Sequence, residues 1–272
     1  MQIWNDQGKL LRLNLALTTS LVMLIAILMV LVFPGSRPIS MEGSAAEAVT
    51  ESTAPAVLPA QIPVLMYHSI SVNPTNRLCV SPAEFARHLD WLKAKGYTSV
   101  TLKDYLIARA TCGPLPAKPV IITLDDGYDD NYLAAFPLLK ERGMRATVFL
   151  IVNQIGRRGY LNLDQITEMR DYGIEFGSHS MSHADLKKAG REVQRKEIRN
   201  SKQLLEGALG TEVTSFCYPS GQYNLTAIQE AKMAGYMGAV TVTPGPVKEE
   251  SRVYELPRVR VYNLGDLTKN LH

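Results

Sequence analysis

Short, almost continuously apolar runs punctuate this chain, separated by longer stretches in which apolar positions recur at helical spacing. Val64-Leu-Met-Tyr67, Val120-Ile-Ile-Thr-Leu124 and Ala146-Thr-Val-Phe-Leu-Ile151 show no polar alternation, and their β-branched content fits parallel strands covered on both faces. Shorter runs at 97–100, 174–178, 215–218, 236–242 and 256–261 read as further strands. The helices between them are signposted. Ser81 is an N-cap, Pro82 suits the first helical position and Glu84 completes a capping box; Phe85, Leu89 and Leu92 then form one apolar stripe, and Gly96 stops it. Further helices are expected from the Thr101 cap to about 110, over 131–142, 163–172 and 191–208, and from the Asn224 cap to 234.

Strand and helix alternate about seven or eight times, the pattern of a parallel barrel or a doubly wound sheet. The polar residues that interrupt the pattern fall in one kind of place. His68, Asp125, Asp126, His179 and the 218–221 turn each follow directly on an expected strand. A barrel would bring all five to one rim, where such folds carry their chemistry. The run 120–130 is the centre of this reading: adjacent Asp125 and Asp126 allow one acid to bind a cation while its neighbour accepts a proton. An Asp-Asp-Gly turn made only for its hydrogen bonds is the alternative.

Composition changes this picture mainly at the amino end. The 272 residues hold 29 Lys plus Arg and 26 Asp plus Glu, a net charge of +3, which does not suit a nucleic-acid binder. Residues 15–33 carry no charge and are long enough to span a bilayer. Lys9 and Arg12 precede them, so the positive-inside rule makes 1–14 a cytoplasmic tail, 15–33 a transmembrane signal-anchor in the inner membrane, and everything after it periplasmic or extracellular. Cleavage at the small residues Gly43-Ser-Ala-Ala46 is the competing reading, although the apolar core is long for a signal peptide. Residues 34–61 are rich in Ser, Ala, Glu, Pro and Thr and read as a flexible linker, leaving 62–272 as one α/β domain. Three cysteines are too few for a disulfide framework, though Cys79 and Cys112 could pair in an oxidising compartment.

His179-Ser-Met-Ser-His183 puts two imidazoles four residues apart, which on a helical turn would face the same side and reach one ion. Two histidines and a carboxylate form the ligand set of a catalytic zinc with an open position. The second aspartate would then be a base. His88, beside the Phe85–Leu92 stripe, reads as a partly exposed surface histidine, and Asp129 and Asp130 as acids favoured at a helix entry. Tyr128 and Tyr223 are candidate sugar-stacking rings.

Thr123-Leu-Asp-Asp-Gly127, His179-Ser-Met-Ser-His183 and Phe216-Cys-Tyr-Pro-Ser-Gly221 resemble, in that order, the three leading motifs of the polysaccharide deacetylases, the NodB-homology or carbohydrate esterase family four domain. The resemblance implies a distorted (β/α) barrel of about seven units that hydrolyses N-acetyl groups of a polysaccharide. It implies Asp125 as catalytic base, Asp126, His179 and His183 as ligands of Zn2+ or another divalent cation, and a backbone N–H from Ser220, or from nearby Tyr218, at the oxyanion.

Two departures stand out. Cys217 occupies the place of the arginine that orients the base, so Arg258 or Arg260 would have to replace it, and no histidine between His183 and His272 can protonate the leaving amine. Val64-Leu-Met-Tyr-His68 resembles the start of the subgroup that deacetylates exported poly-β-1,6-N-acetylglucosamine, in which the barrel is circularly permuted and an early histidine supplies the acid. That implies His68 in this role. The rival readings are the same chemistry on peptidoglycan, chitin or an O-acetylated xylan, and a non-catalytic glycan-binding protein.

Overall fold

The computed structural model describes residues 58–73, 75–262 and 264–271. The segments expected as cytoplasmic tail, membrane anchor and most of the linker lie outside the described residues. Among the described residues no helix is long and apolar enough to cross a membrane.

In chain order the strands are β1 (Gln61–Ile62), β2 (Val64–Tyr67), β3 (Thr98–Val100), β4 (Pro119–Leu124), β5 (Thr147–Leu150), β6 (Glu175–Ser178), β7 (Ser215–Cys217), β8 (Gly238–Pro244), β9 (Val247–Lys248) and β10 (Leu256–Arg260). The α-helices are α1 (Pro82–Ala94), α2 (Leu102–Thr111), α3 (Phe136–Glu141), α4 (Leu163–Tyr172), α5 (Arg191–Arg195), α6 (Ser201–Leu209), α7 (Leu225–Met233) and α8 (Leu264–Asn270). The expected caps are in place: the Ser81 side chain accepts the Glu84 N–H, Thr101 and Asp104 form a reciprocal capping box, and Asn162 and Gln165 form another.

Seven parallel strands close into a barrel in the order β2, β4, β5, β6, β7, β8, β10 and back to β2. β3 is an extra strand on the lower part of β4, pairing Thr98 with Pro119. β2 is inserted between β4, in the register Tyr67 to Leu124, and β10, in the register Val259 to Leu65. Alternate residues of each strand point to opposite faces, and this divides the core in two. Ile121, Phe149, Cys217, Val240 and Leu256 fill the barrel, while Ile122, Val148, Phe216 and Ala239 lie beneath the helices. Both populations are buried, which is why the strands read as continuous apolar runs rather than as alternating ones.

Several local expectations are revised. Residues 131–142 begin as a π-helical turn, Asn131–Ala135, before α3, and another π turn, Lys196–Asn200, joins α5 to α6. His88 is fully buried rather than on the surface. Its ring nitrogens lie 3.1 Å from the Tyr67 hydroxyl and 3.1 Å from a Glu84 carboxylate oxygen. A polar side chain can sit in such a core when both its nitrogens have partners. Cys79 and Cys112 are free thiols, so they do not pair.

Candidate active site

All the candidate side chains lie at the carboxyl ends of the barrel strands. A cavity of about 200 Å³ there is lined by His68, Asp125, Asp126, His179, His183 and Ser220 among others. A larger one, about 410 Å³, surrounds Tyr105, Arg109 and Val247, and none of the candidate residues borders it. The chemistry therefore belongs to the smaller cavity.

β4 ends in a turn that sends its two acids different ways. Asp125 continues the inward row of Ile121 and Thr123, while Asp126 and Gly127 both take left-handed conformations, φ 75° and 74°. A Cβ at residue 127 would stand 2.7 Å from Leu150 Cδ2, so both space and backbone require glycine. The bend carries Asp126 to the histidines: its Oδ1 is 3.4 Å from His179 Nε2 and 3.7 Å from His183 Nε2. One ligand atom from each of the three residues lies within 4.8 Å of the others. His179 Nδ1 is 2.8 Å from the Cys217 carbonyl and donates to it, so Nε2, which faces Asp126, is the atom that would bind a cation once it gives up its own proton. Burial depresses the pKa of His183, and although burial opposes it, the hydrogen bond and charge of His179 depress that of Asp126. A borderline-soft divalent cation is suited by this donor set of two imidazoles and one carboxylate.

The two histidines do not share a helical face. Residues 179–183 form an irregular loop in which Ser180 and His183 are left-handed, φ 67° and 63°, and the Ser180 hydroxyl accepts the His183 N–H at 2.9 Å. A tight loop, not a turn of helix, folds His183 back over His179.

Asp125 is buried, and Arg258 grips it from across the barrel. Nη1 and Nη2 each donate to one carboxylate oxygen at 2.7 Å, while Nε donates to the Thr241 carbonyl at 2.8 Å and Nη1 also to Thr123 Oγ1 at 3.0 Å. Burial pushes this carboxyl up, but the Arg258 charge and its hydrogen bonds prevail and hold it well below the usual carboxylate range. Of the two arginines open at the sequence level, Arg258 is the one at Asp125. Arg260, two residues on, instead lines the mouth of the cavity. Cys217 Sγ stands beside the pair, 3.3 Å from Arg258 Nη2, and burial raises its thiol pKa, keeping it neutral.

His68 follows β2, and its Nε2 is 3.8 Å from Asp125 Oδ2. Burial lowers its pKa, with the nearby Asp125 charge pulling the other way. The loop that carries it is braced by hydrogen bonds from outside β2. Asp130 accepts the Ser69 hydroxyl at 2.5 Å and the Ile70 N–H at 3.0 Å, and Asn131 donates to the His68 carbonyl at 2.9 Å. Asp130 thus stands at a helix entry, as the residue before the 131–135 turn, and also braces two strand ends.

The turn after β7 holds Ser220 at φ 51° and Gly221 at φ 65°, where a Cβ would meet Val242 Cγ2 at 2.3 Å. Ser220 is exposed at the cavity. The Tyr218 N–H is taken by the Val240 carbonyl at 3.3 Å, which leaves Ser220 as the backbone donor of this turn. Neither candidate stacking ring is free: Tyr223 lies on Tyr218 with centroids 4.4 Å apart, and Tyr128 on Tyr160 at 5.3 Å.

The polysaccharide deacetylase family matches residues 113–239 of this chain. The chain is 39% identical over 203 residues to the Bacillus subtilis protein YxkH, covering 75% of this chain and 72% of that protein. It is 31% identical over 198 residues to the poly-beta-1,6-N-acetyl-D-glucosamine N-deacetylase of Staphylococcus epidermidis, 68% of each. Among solved structures, the Streptococcus pyogenes deacetylase PplD in complex with acetate is similar, with a TM-score of 0.74 and 32% identity, over 79% of this chain and 99% of that one.

Proposed function

Because this chain belongs to the polysaccharide deacetylase family, we propose that it hydrolyses the N-acetyl groups of an exported poly-β-1,6-N-acetyl-D-glucosamine. It is a hydrolase of acetylated polysaccharide. The choice of polymer is supported by the Staphylococcus epidermidis relative, and acetate release by the acetate that accompanies PplD. The observation that carries the reaction is the buried Asp125, clamped by Arg258 and adjoining the Asp126, His179 and His183 cluster.

In this reading Asp126, His179 and His183 would hold a zinc ion. Such an ion polarises a carbonyl oxygen and lowers the pKa of bound water to about 7. Asp125 takes a proton from the attacking water. The Arg258 clamp disfavours the protonated form of Asp125, and the proton passes to His68, whose Nε2 is 3.8 Å away. His68 then delivers it to the nitrogen as the C–N bond breaks. The Ser220 N–H faces the developing oxyanion. Arg258 holds Asp125 in place throughout. We further propose that residues 15–33 anchor the chain in the inner membrane with 62–272 outside, supported by the uncharged span and the basic residues before it. Accessibility of the domain to protease added outside intact cells tests that topology.

The test of the activity is acetate release by the purified chain from poly-β-1,6-N-acetyl-D-glucosamine, with and without chelator, beside peptidoglycan, chitin and acetylated xylan. Release from the first polymer, lost with chelator and restored by zinc, is expected. Preference for another glycan would reassign the substrate, and release from none would leave a glycan-binding protein.

A further inference from the structure

Each of the two clustered histidines directly follows a serine, and both serines are held from one helical segment. Ser178, the last residue of β6, donates its hydroxyl to Ser201 Oγ at 2.8 Å, and both residues are fully buried. Ser182 gives its N–H and its hydroxyl to the two carboxylate oxygens of Glu197, at 2.9 and 2.7 Å. Glu197 belongs to the π turn Lys196–Asn200 and Ser201 opens α6, so the two lie on one turn and face the same side. Such turns are rare and occur frequently at functional sites. The cations around Glu197 are engaged elsewhere, Arg195 with Glu192, Arg199 with Glu230 and Lys202 with Glu206, so this carboxylate serves the loop rather than a helix ion pair.

The loop between the histidines needs such holding. Ser180 and His183 are both left-handed, a conformation disfavoured for residues that carry a Cβ. Within the loop Ser178 Oγ accepts the Ser180 N–H at 3.2 Å, and on its far side the Ser180 and Met181 carbonyls accept the N–H groups of Val152 and Asn153 at 3.1 and 2.9 Å. Those contacts fix residues 178–181. Ser182, which leads into the partly exposed His183, is fixed by Glu197.

We propose that Glu197 and Ser201 are positioning residues for the metal ligands, Glu197 for His183 and Ser201 for His179, and that they hold both imidazoles converged on Asp126 before a cation binds. This rests on the deacetylase reading, in which Asp126, His179 and His183 hold a divalent cation, and it adds what aligns them. Ligands that are already converged lose little of the binding free energy to ordering. Removing outer-shell partners of a metal site lowers its affinity by about 10- to 100-fold. The Glu197 contact is partly open to water, which places its loss at the lower end of that range, about tenfold.

The test measures the zinc affinity of the full chain by competition with a chromogenic chelator and needs no glycan. Glu197→Ala should bind zinc about tenfold more weakly than wild type. Glu197→Gln should recover most of that loss, because its amide oxygen can accept the Ser182 N–H while its NH2 donates to the Ser182 hydroxyl. With saturating cobalt(II) in place of zinc, the visible absorption band, which follows the ligand set and its geometry, should change in Glu197→Ala and keep its wild-type form in Glu197→Gln. Ser201→Ala should weaken zinc binding in the same way through His179. Equal zinc affinity in wild type and Glu197→Ala would overturn the proposal. So would a Glu197→Gln variant as weak as Glu197→Ala, since a bare charge effect and not a held loop would then be at work. Zinc binding that ignores Glu197 would refute the positioning role and leave the deacetylase reading intact, whereas no zinc binding by wild type would remove the metal centre on which both rest. Should the buried Ser201→Ala fail to fold, the partly exposed Glu197 decides alone.

Discussion

Arg258→Met tests the arrangement at its centre. The substitution keeps much of the side-chain length but removes the guanidinium that holds both oxygens of Asp125 at 2.7 Å. Two unit charges about 4 Å apart attract by about 4 kcal/mol at the effective dielectric of about 20 that describes protein sites. Breaking one side of a buried pair costs about 3–5 kcal/mol for the same reason. The carboxylate left behind is 2% exposed and keeps only the Cys217 thiol at 3.6 Å and His68 at 3.8 Å. In the wild type the folded-state pKa of Asp125 is depressed, so the pair contributes stability above the unfolded value, near 3.9, that is lost as pH falls through the folded one. Without Arg258, burial is opposed only by His68 and His179 and is expected to raise the folded pKa, so the group loses stability as pH rises instead. Urea unfolding should separate the two proteins by about 3–5 kcal/mol at pH 7 and draw them together in acid. The acid limb of kcat/KM against pH should move to higher pH in the variant, because a base of raised pKa is protonated sooner. Equal urea midpoints at pH 7, or an acid limb that stays in place, would refute the clamp.

Asp125→Asn should retain metal by atomic absorption while turnover falls by about 10² to 10⁴-fold; wild-type turnover would remove the base assignment. His68→Ala should likewise lower turnover with metal content intact, and an unchanged rate would return His68 to a packing role. Gly221→Ala, which drives a Cβ into Val242 at a left-handed position, should lower stability by about 1–3 kcal/mol in thermal unfolding and displace the Ser220 turn. His88 is neutral in the fold, burial lowering its pKa from 6.5 to about 4, so the unfolded chain binds a proton first as pH falls. Stability should drop by up to about 1.4 kcal/mol per pH unit across that window. His88→Gln should flatten the slope between pH 6.5 and 4, and an unchanged slope would assign it elsewhere.

The strands were readable because a barrel wall covered on both faces demands apolar residues at every position, and Val120 to Leu124 supplies them. The rim was readable because His68, Asp125, Asp126 and His179 break that demand at the carboxyl ends of three barrel strands, β2, β4 and β6. What could not be read is whatever depends on which strand lies beside which. Choosing between Arg258 and Arg260 needed the period-two phase of β10 relative to the barrel interior. His88 looked exposed because Tyr67 meets it only once α1 lies on β2, whereas Glu84 is one turn back on the same helix. The imidazole pair suggested a helix from its spacing, yet Ser180 and His183 reach the same convergence with left-handed backbone, a conformation non-glycine residues give little sign of in sequence. Asp130 and Asn131 join two strand ends more than fifty positions apart along the chain, a contact that no local pattern encodes.

The insertion of β2 between β4 and β10 has a bearing on biogenesis. β2 is completed on one flank by a segment made much later in translation, and until Leu256–Arg260 emerges the ring has a gap beside His68. The same late segment brings the guanidinium that keeps Asp125 ionised. A polypeptide in which β10 has not yet joined the ring thus has an unclamped Asp125 and an open edge beside His68, and hydrolysis waits on that closure.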